Sequence, residues 1–314
     1  MPRKYFVAVA VLACGLAAAQ VNTAITGQWA IDSLPVAGKV ELTIHRRSER
    51  SNMTSSSALP LEQLRGLSAA QMNASAGTTV KFQIVREAGS IECEGYFKAG
   101  SGGGTFGFAP SPAFASRMES LGYGGFSGEM VFRMAVHDVT SQYARDLRRL
   151  GAAPSSADKL LAMRIHNVSI EYIEAMKALG YADLSSDDLV AMRIHGVSAA
   201  FVREFNALGY RPAGEKLITM RIHGVSSAFA KELQGLGYDS VSVDEMVTMR
   251  IHGASADFVK QVRELGYERV SVDQLVSMRI HGVSPEYIQG LRARGMRNLS
   301  IDQLVNLRIH GIVD

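Results

Sequence analysis

The chain has 314 residues, 47% apolar and 20% charged, which excludes wholesale disorder and allows two domains with real cores. Its 33 basic and 30 acidic residues give a formal charge of +3, so no electrostatic footprint for nucleic acid or an acidic membrane surface is expected. It has 2 cysteines, Cys14 and Cys93.

Residues 1–20, MPRKYFVAVAVLACGLAAAQ, read as an export signal: Arg3 and Lys4, an apolar stretch from Tyr5, and small Ala17 and Ala19 before Gln20. The apolar stretch falls short of the ~20 residues that span a bilayer. Cleavage after Ala19 would place the mature chain in the periplasm or outside the cell. Val11-Leu12-Ala13-Cys14 loosely resembles a lipobox, so lipidation of Cys14 is the one route to a membrane, as an outer-membrane lipoprotein. Cleavage would leave Cys93 alone, which rules out an intrachain disulfide and points to a small apolar residue inside a sheet.

Within the region 20–110 the pattern alternates with period two from about residue 24 onward. TGQWAI (26–31), GKVELTIHRR (38–47), TVKFQIVREA (79–88), SIECEGYFKA (90–99) and GTFGFA (104–109) predict five antiparallel strands in a small sheet or open barrel. ERSNMTSSSALP (49–60) reads as a polar loop, and EQLRGLSAAQM (62–72) as holding a short helix. Trp29, the single Trp, is expected in the core.

From 111 to 314 the period changes. His137, His166, His195, His223, His252, His281 and His310 recur every 28 or 29 residues, and Leu-Gly pairs keep the same step. Seven such units form a repeat array, a specific signal in one sequence. In VSAAFVREFNALGY, Ser198 caps a helix, Val197 and Val202 hold staple positions, and Gly209 is a left-handed stop, giving a helix over about 198–208. In LSIDQLVNLRIHG, Ser300 and Gln303 form a capping box and Gly311 ends a helix over about 300–310. Each helix is too short to be stable alone. The predicted fold class is therefore α+β: a small antiparallel β domain, then an α-solenoid of seven two-helix repeats in which stacking supplies the stability.

Two polar positions recur besides the His. With Leu304 as the reference on a helical wheel, Arg308 falls at about 40°, within the apolar arc, and His310 at about 240°, outside it. The His residues precede the helix stop, where carbonyls lack partners and the dipole favours a cation, so all seven are expected as helix C-terminal residues. Equivalent residues of stacked helices lie ~8–10 Å apart, too far to share one metal ion, and no metal site is expected. The Arg recurs as Arg164, Arg193, Arg221, Arg250, Arg279 and Arg308, with Ala135 in the first copy, whose lack of an Arg is attributed to its abutting the β domain. An acid stands six residues earlier, at Glu129, Asp158, Asp187, Glu215, Asp244, Asp273 and Asp302. A cation in an apolar arc needs partners. The expectation is a polar ladder between units, each Arg meeting an acid or the exposed helix-end carbonyls of its neighbour.

The units LGY-x-x-LS-x-D-x-LV-x-MRIHGVS, clearest at 208–258 and 265–287, resemble repeats of uncharacterised exported bacterial proteins, and are similar to repeats appended to membrane metallopeptidases related to penicillin sensors. The resemblance implies an exported bacterial protein and assigns no activity; the peptidase motif is absent. RIHGVSAAFVREF (193–205) also resembles a helix-hairpin-helix element, but Ser198 replaces its second Gly and few cations flank it, so nucleic acid is not an expected partner.

No nucleophile elbow, phosphate loop or paired carboxylates stand out, so no enzyme activity and no cofactor are expected. The favoured reading is an exported scaffold or protein-binding module with an unidentified protein partner, recognised by the repeat surface. The alternative is a carrier of a small apolar ligand or lipid in the β domain. The last repeat leaves an apolar edge of Leu307, Ile309, Ile312 and Val313, a candidate for self-association.

Overall fold

The computed structural model describes residues 25–33, 38–47 and 52–311. The segment expected to be an export signal, with Cys14, and Ile312 and Val313 lie outside the described residues. The chain is α+β: an antiparallel curled sheet, a half-barrel, followed by repeated helices. Contacts divide it into two compact units, one running to Val85 and adding Gly89–Pro110, the other comprising Ser111 onward with Arg86–Ala88.

Among the described residues the sheet has seven strands rather than five, in the order β3-β2-β1-β7-β6-β5-β4. They are β1 (Ile25–Ser33), β2 (Lys39–Arg47), β3 (Asn52–Pro60), β4 (Leu64–Arg65), β5 (Thr78–Arg86), β6 (Gly89–Lys98) and β7 (Ser101–Pro110). The five predicted strands are all present; the sequence reading missed β3 and β4. β3 occupies most of the segment expected as a polar loop, and it pairs with β2 from Lys39↔Pro60 to Arg47↔Asn52. An edge strand needs ladder hydrogen bonds more than an apolar face, and β3 adds hydroxyl contacts from Ser56 to Thr43 and from Thr54 to His45. β4 brings Leu64 into the core opposite Ile84. The helix expected within 62–72 is split: a 3-10 turn at Leu61–Gln63, then β4, then α1 (Ala69–Met72), begun by a Ser68–Gln71 capping box.

The glycines of β7 explain how the core closes. Register places Trp29 beside Gly104 and Gly104 beside Gly95, so one row across three strands holds an indole and two glycines. The indole lies over that gap and donates Nε1–H to the carbonyls of Glu94 and Thr105, each at 3.1 Å. A Cβ on Gly95 would stand 2.5 Å from Trp29 Cζ2 and 2.3 Å from the Gly103 carbonyl. The next row repeats the device, with the Phe97 ring over Gly102. Trp29 meets Phe82 edge-on at 4.9 Å and stacks on Phe97 at 5.6 Å, filling the apolar face with the sheet's own rings. Cys93 is buried on β6, and desolvation pushes its thiol pKa up to about 12, as befits an inert core residue.

Among the described residues the second unit holds fourteen nine-residue helices. The first helices of the repeats are α2 (Pro112–Ser120), α4 (Ser141–Arg149), α6 (Ile170–Ala178), α8 (Ala199–Ala207), α10 (Ser227–Gly235), α12 (Ala256–Glu264) and α14 (Pro285–Ala293). The second helices are α3 (Gly128–Val136), α5 (Ala157–Ile165), α7 (Ser186–Ile194), α9 (Gly214–Ile222), α11 (Val243–Ile251), α13 (Val272–Ile280) and α15 (Ile301–Ile309). First helices pack on first helices from α2 to α14, and second helices on second helices from α5 to α15. In five of these second helices the Met before the repeated Arg is completely buried, at Met163, Met192, Met220, Met249 and Met278. Glu87 belongs to this unit: its carboxylate accepts from the backbone N–H and hydroxyl of Ser141, at 2.8 and 2.6 Å, at the start of α4.

Candidate functional site

Every second helix except α9 begins at a Ser whose side chain accepts from the N–H three residues on; α9 begins at Ala213 without such a bond. All seven repeated His residues stand at the C-cap. The next residue takes a left-handed conformation: Asp138 and Asn167 in the first two copies, then Gly196, Gly224, Gly253, Gly282 and Gly311. In the interior repeats the residue beyond that one bonds back to the buried Met, as in Val197 N–H to the Met192 carbonyl at 2.8 Å. These are paired helix-stop hydrogen bonds that satisfy the last carbonyls. Among the described residues no three His, Cys, Asp or Glu side chains are grouped to hold a metal ion.

The remaining helix-end carbonyls are met from the next repeat. Arg164, Arg193 and Arg221 donate Nε–H to the main-chain oxygens of His137, His166 and His195, at 3.3, 3.4 and 3.4 Å. The first helices have a parallel ladder: Arg148, Lys177, Arg263 and Arg292 donate to the carbonyls of Leu121, Leu150, Leu236 and Leu265. A cation at a helix C-terminus is favoured by the dipole, and here each comes from the following unit. Each repeated guanidinium also lies over a ring, Arg164 over Tyr143, Arg193 over Tyr172, Arg221 over Phe201, Arg250 over Phe229, Arg279 over Phe258 and Arg308 over Tyr287, at 5.0–5.4 Å from the centroid. Ala135 stands where no preceding repeated His offers a carbonyl.

For the four repeated Arg residues from Arg193 to Arg279, the acid half of the expected ladder is not formed. Arg193, Arg221, Arg250 and Arg279 make no ion pair with a repeated acid among the described residues, and Arg164 instead approaches Asp138, at 3.8 Å. Asp187 and Asp244 pair with Lys159 and Lys216 of the preceding second helix. The geometry gives the reason: the acid lies in the first turn and the Arg in the last, so neighbouring parallel helices keep them at opposite ends. For Arg250→Ala with Asp273→Ala, the stability losses should add within ~0.3–0.5 kcal/mol. Arg250→Ala with Phe229→Leu should instead show a coupling of about 0.5–1 kcal/mol in a urea double-mutant cycle.

Tyrosines form a third set of links. Tyr123, Tyr181, Tyr210, Tyr238 and Tyr267 donate to main-chain oxygens of Pro154, Pro212, Val241, Val270 and Leu299, 31 or 32 residues on. Tyr143 and Tyr172 do the same to Val168 and Val197. Burial pushes the Tyr172 hydroxyl pKa up to about 12, Arg193 opposing it, and the group stays a donor. The imidazole of His137 is held below its ordinary pKa by burial, then by Arg133 and Arg164.

What remains open is the outer face of the second helices. Ile165, Ile194, Ile222, Ile251, Ile280 and Ile309 are 40, 54, 56, 53, 54 and 51% exposed, one per repeat at the last helical position. Sequence reasoning singled out Ile309 as part of an uncovered end. Ile280 is no less exposed although α15 packs on its helix, so Ile309 belongs to a row. Leu307 does differ from its counterparts: it is half-buried where Met163 through Met278 are fully covered. The repeated Met-Arg-Ile-His signal is plain in the sequence, and only the packing shows that the Ile stays uncovered.

Comparison with protein-family models, with curated proteins and with solved structures finds no match to this chain.

Proposed function

We propose that the helical repeats form an α-solenoid serving as an exported, non-enzymatic scaffold that binds another protein. The observation carrying this reading is the row of half-exposed isoleucines. Apolar residues scattered over a surface need no explanation, whereas an apolar residue left exposed at the same position of successive stacked helices is a candidate interaction site. Repeat arrays use such extended faces for recognition, because identical positions recur along the stack. The row contributes little to folding, so its recurrence in six repeats is accounted for by binding.

The test is Ile194→Ser/Ile222→Ser/Ile251→Ser. Each exposed change should shift stability by no more than about 0.5 kcal/mol, leaving the far-ultraviolet circular dichroism and melting temperature close to wild type. Partner protein captured by the wild-type chain from the periplasmic or extracellular fraction should be lost on the variant. Undiminished capture by the folded variant would refute the reading.

A further inference from the structure

We propose that the outer face of the second helices is a docking groove for a basic amphipathic helix of another protein, its apolar stripe on the isoleucine row and its cations on a parallel row of acids. This rests on the docking reading above and adds the chemistry of the partner.

In each repeat an acid precedes the Ile by seven residues: Asp158 and Ile165, Asp187 and Ile194, Glu215 and Ile222, and so on to Asp302 and Ile309. Seven residues are about two turns, so acid and Ile share one helix face about 10 Å apart. All six acids are exposed. The residue between them, four after the acid, is Ala162, Ala191, Thr219, Thr248, Ser277 or Asn306. Thr219 and Thr248 turn their hydroxyls onto the carbonyls of Glu215 and Asp244, so those floor positions ask nothing of a ligand. Stacked repeats thus give a low floor with an apolar row on one side and an acidic row on the other. An α-helix is about 10–12 Å across, so one lying along the stack reaches both rows.

Charge decides the partner's sign. The acidic row has six carboxylates, and two lysines pair with it. Lys159 and Lys216 are the cations paired with the row, at Asp187 and Asp244, while Asp158, Glu215, Asp273 and Asp302 are in no ion pair among the described residues. The repeated Arg side chains are held over the Tyr and Phe rings, away from the acids. An anionic partner would set its charges against the acids at a cost; a cationic one finds complementary charge.

The experiment uses the full chain at low salt and two fluorescent synthetic helical peptides with the same leucine stripe, one flanked by Lys and the other by Glu. The Lys peptide should bind at least about tenfold more tightly, by anisotropy, and rising salt should erode the preference. In Asp158→Asn/Glu215→Gln/Asp273→Asn/Asp302→Asn the preference should fall to within about twofold, and the triple Ile variant should lose both peptides. Equal or tighter binding of the Glu peptide that still depends on the isoleucines would overturn the basic partner and leave the docking face standing. Binding indifferent to the isoleucines, or no binding of either peptide, would overturn the groove itself. Ile-dependent dimerisation of the chain alone would overturn the proposal in favour of a second copy, and Ile-dependent sedimentation with phosphatidylglycerol vesicles in favour of a membrane.

Discussion

Phe205→Ala should cost the helical unit about 3–5 kcal/mol, the usual loss when a fully buried aromatic is truncated and the cavity cannot collapse. Phe205 is 0% exposed, its ring lies 5.0 Å from that of Phe201 and 6.1 Å from that of Tyr210, and its carbonyl receives the Tyr210 N–H that stops α8. Removing the ring therefore loosens the helix, its stop and the link onward from Tyr210 to Val241. Each repeat leans on its neighbours, so the urea transition at 222 nm should move to lower denaturant and broaden as the array separates into two parts. The fluorescence of Trp29, which lies in the sheet unit, supplies an internal control whose midpoint should stay in place. A shift of the helical transition worth less than about 1 kcal/mol would contradict the central role given to this residue.

Gly95→Ala should damage the other unit selectively. The added methyl would meet the Gly103 carbonyl at 2.3 Å as well as the indole, and a backbone oxygen inside a three-strand ladder has nowhere to move. Overpacking of this kind costs typically about 1–3 kcal/mol, and the value here belongs at or above the upper end because backbone must shift. Trp29 is the reporter: its emission should move to the red and its urea midpoint fall, while the helical signal at 222 nm keeps its wild-type midpoint. Wild-type fluorescence in the Gly95→Ala protein would mean that the indole does not lie across the Gly95 and Gly104 row. Gly107 provides the comparison: a methyl there would meet no atom within 4 Å, and Gly107→Ala should be far milder.

Much of the helical unit was legible because its signals are local. Ser198 and Ser300 at the caps, Gly209 and Gly311 at the stops and the 28- or 29-residue step fixed helix ends to within a residue of Ala199–Ala207 and Ile301–Ile309. These are properties of a few neighbouring residues and survive without knowledge of what packs outside. β3 was missed for the opposite reason: NMTSSSALP lacks an apolar alternation, and its strand character comes from β2 alongside.

The Arg positions show where local reading stops. Burial in an apolar arc implied that each guanidinium needed company, and the sequence offered an acid six residues away as well as helix-end carbonyls. Which partner is met depends on where the next repeat puts its rings and helix ends. The structure supplies a ring for each Arg and, for Arg164, Arg193 and Arg221, the previous His carbonyl, while Asp187 and Asp244 pair with Lys159 and Lys216.

Hydrophobic period and capping chemistry act over a few residues, and they were enough to establish the α+β class, the five central strands, the repeat length and both ends of the helices. The seven-strand order, the glycine row beneath Trp29 and the open face of the second helices depend on chain segments far apart in sequence, and they became visible only once the elements were packed. Whether Ile194 is covered depends on the helix beside it. With α9 stacked on α7, Ile194 is still 54% exposed, and that exposure makes the repeat face the candidate binding site.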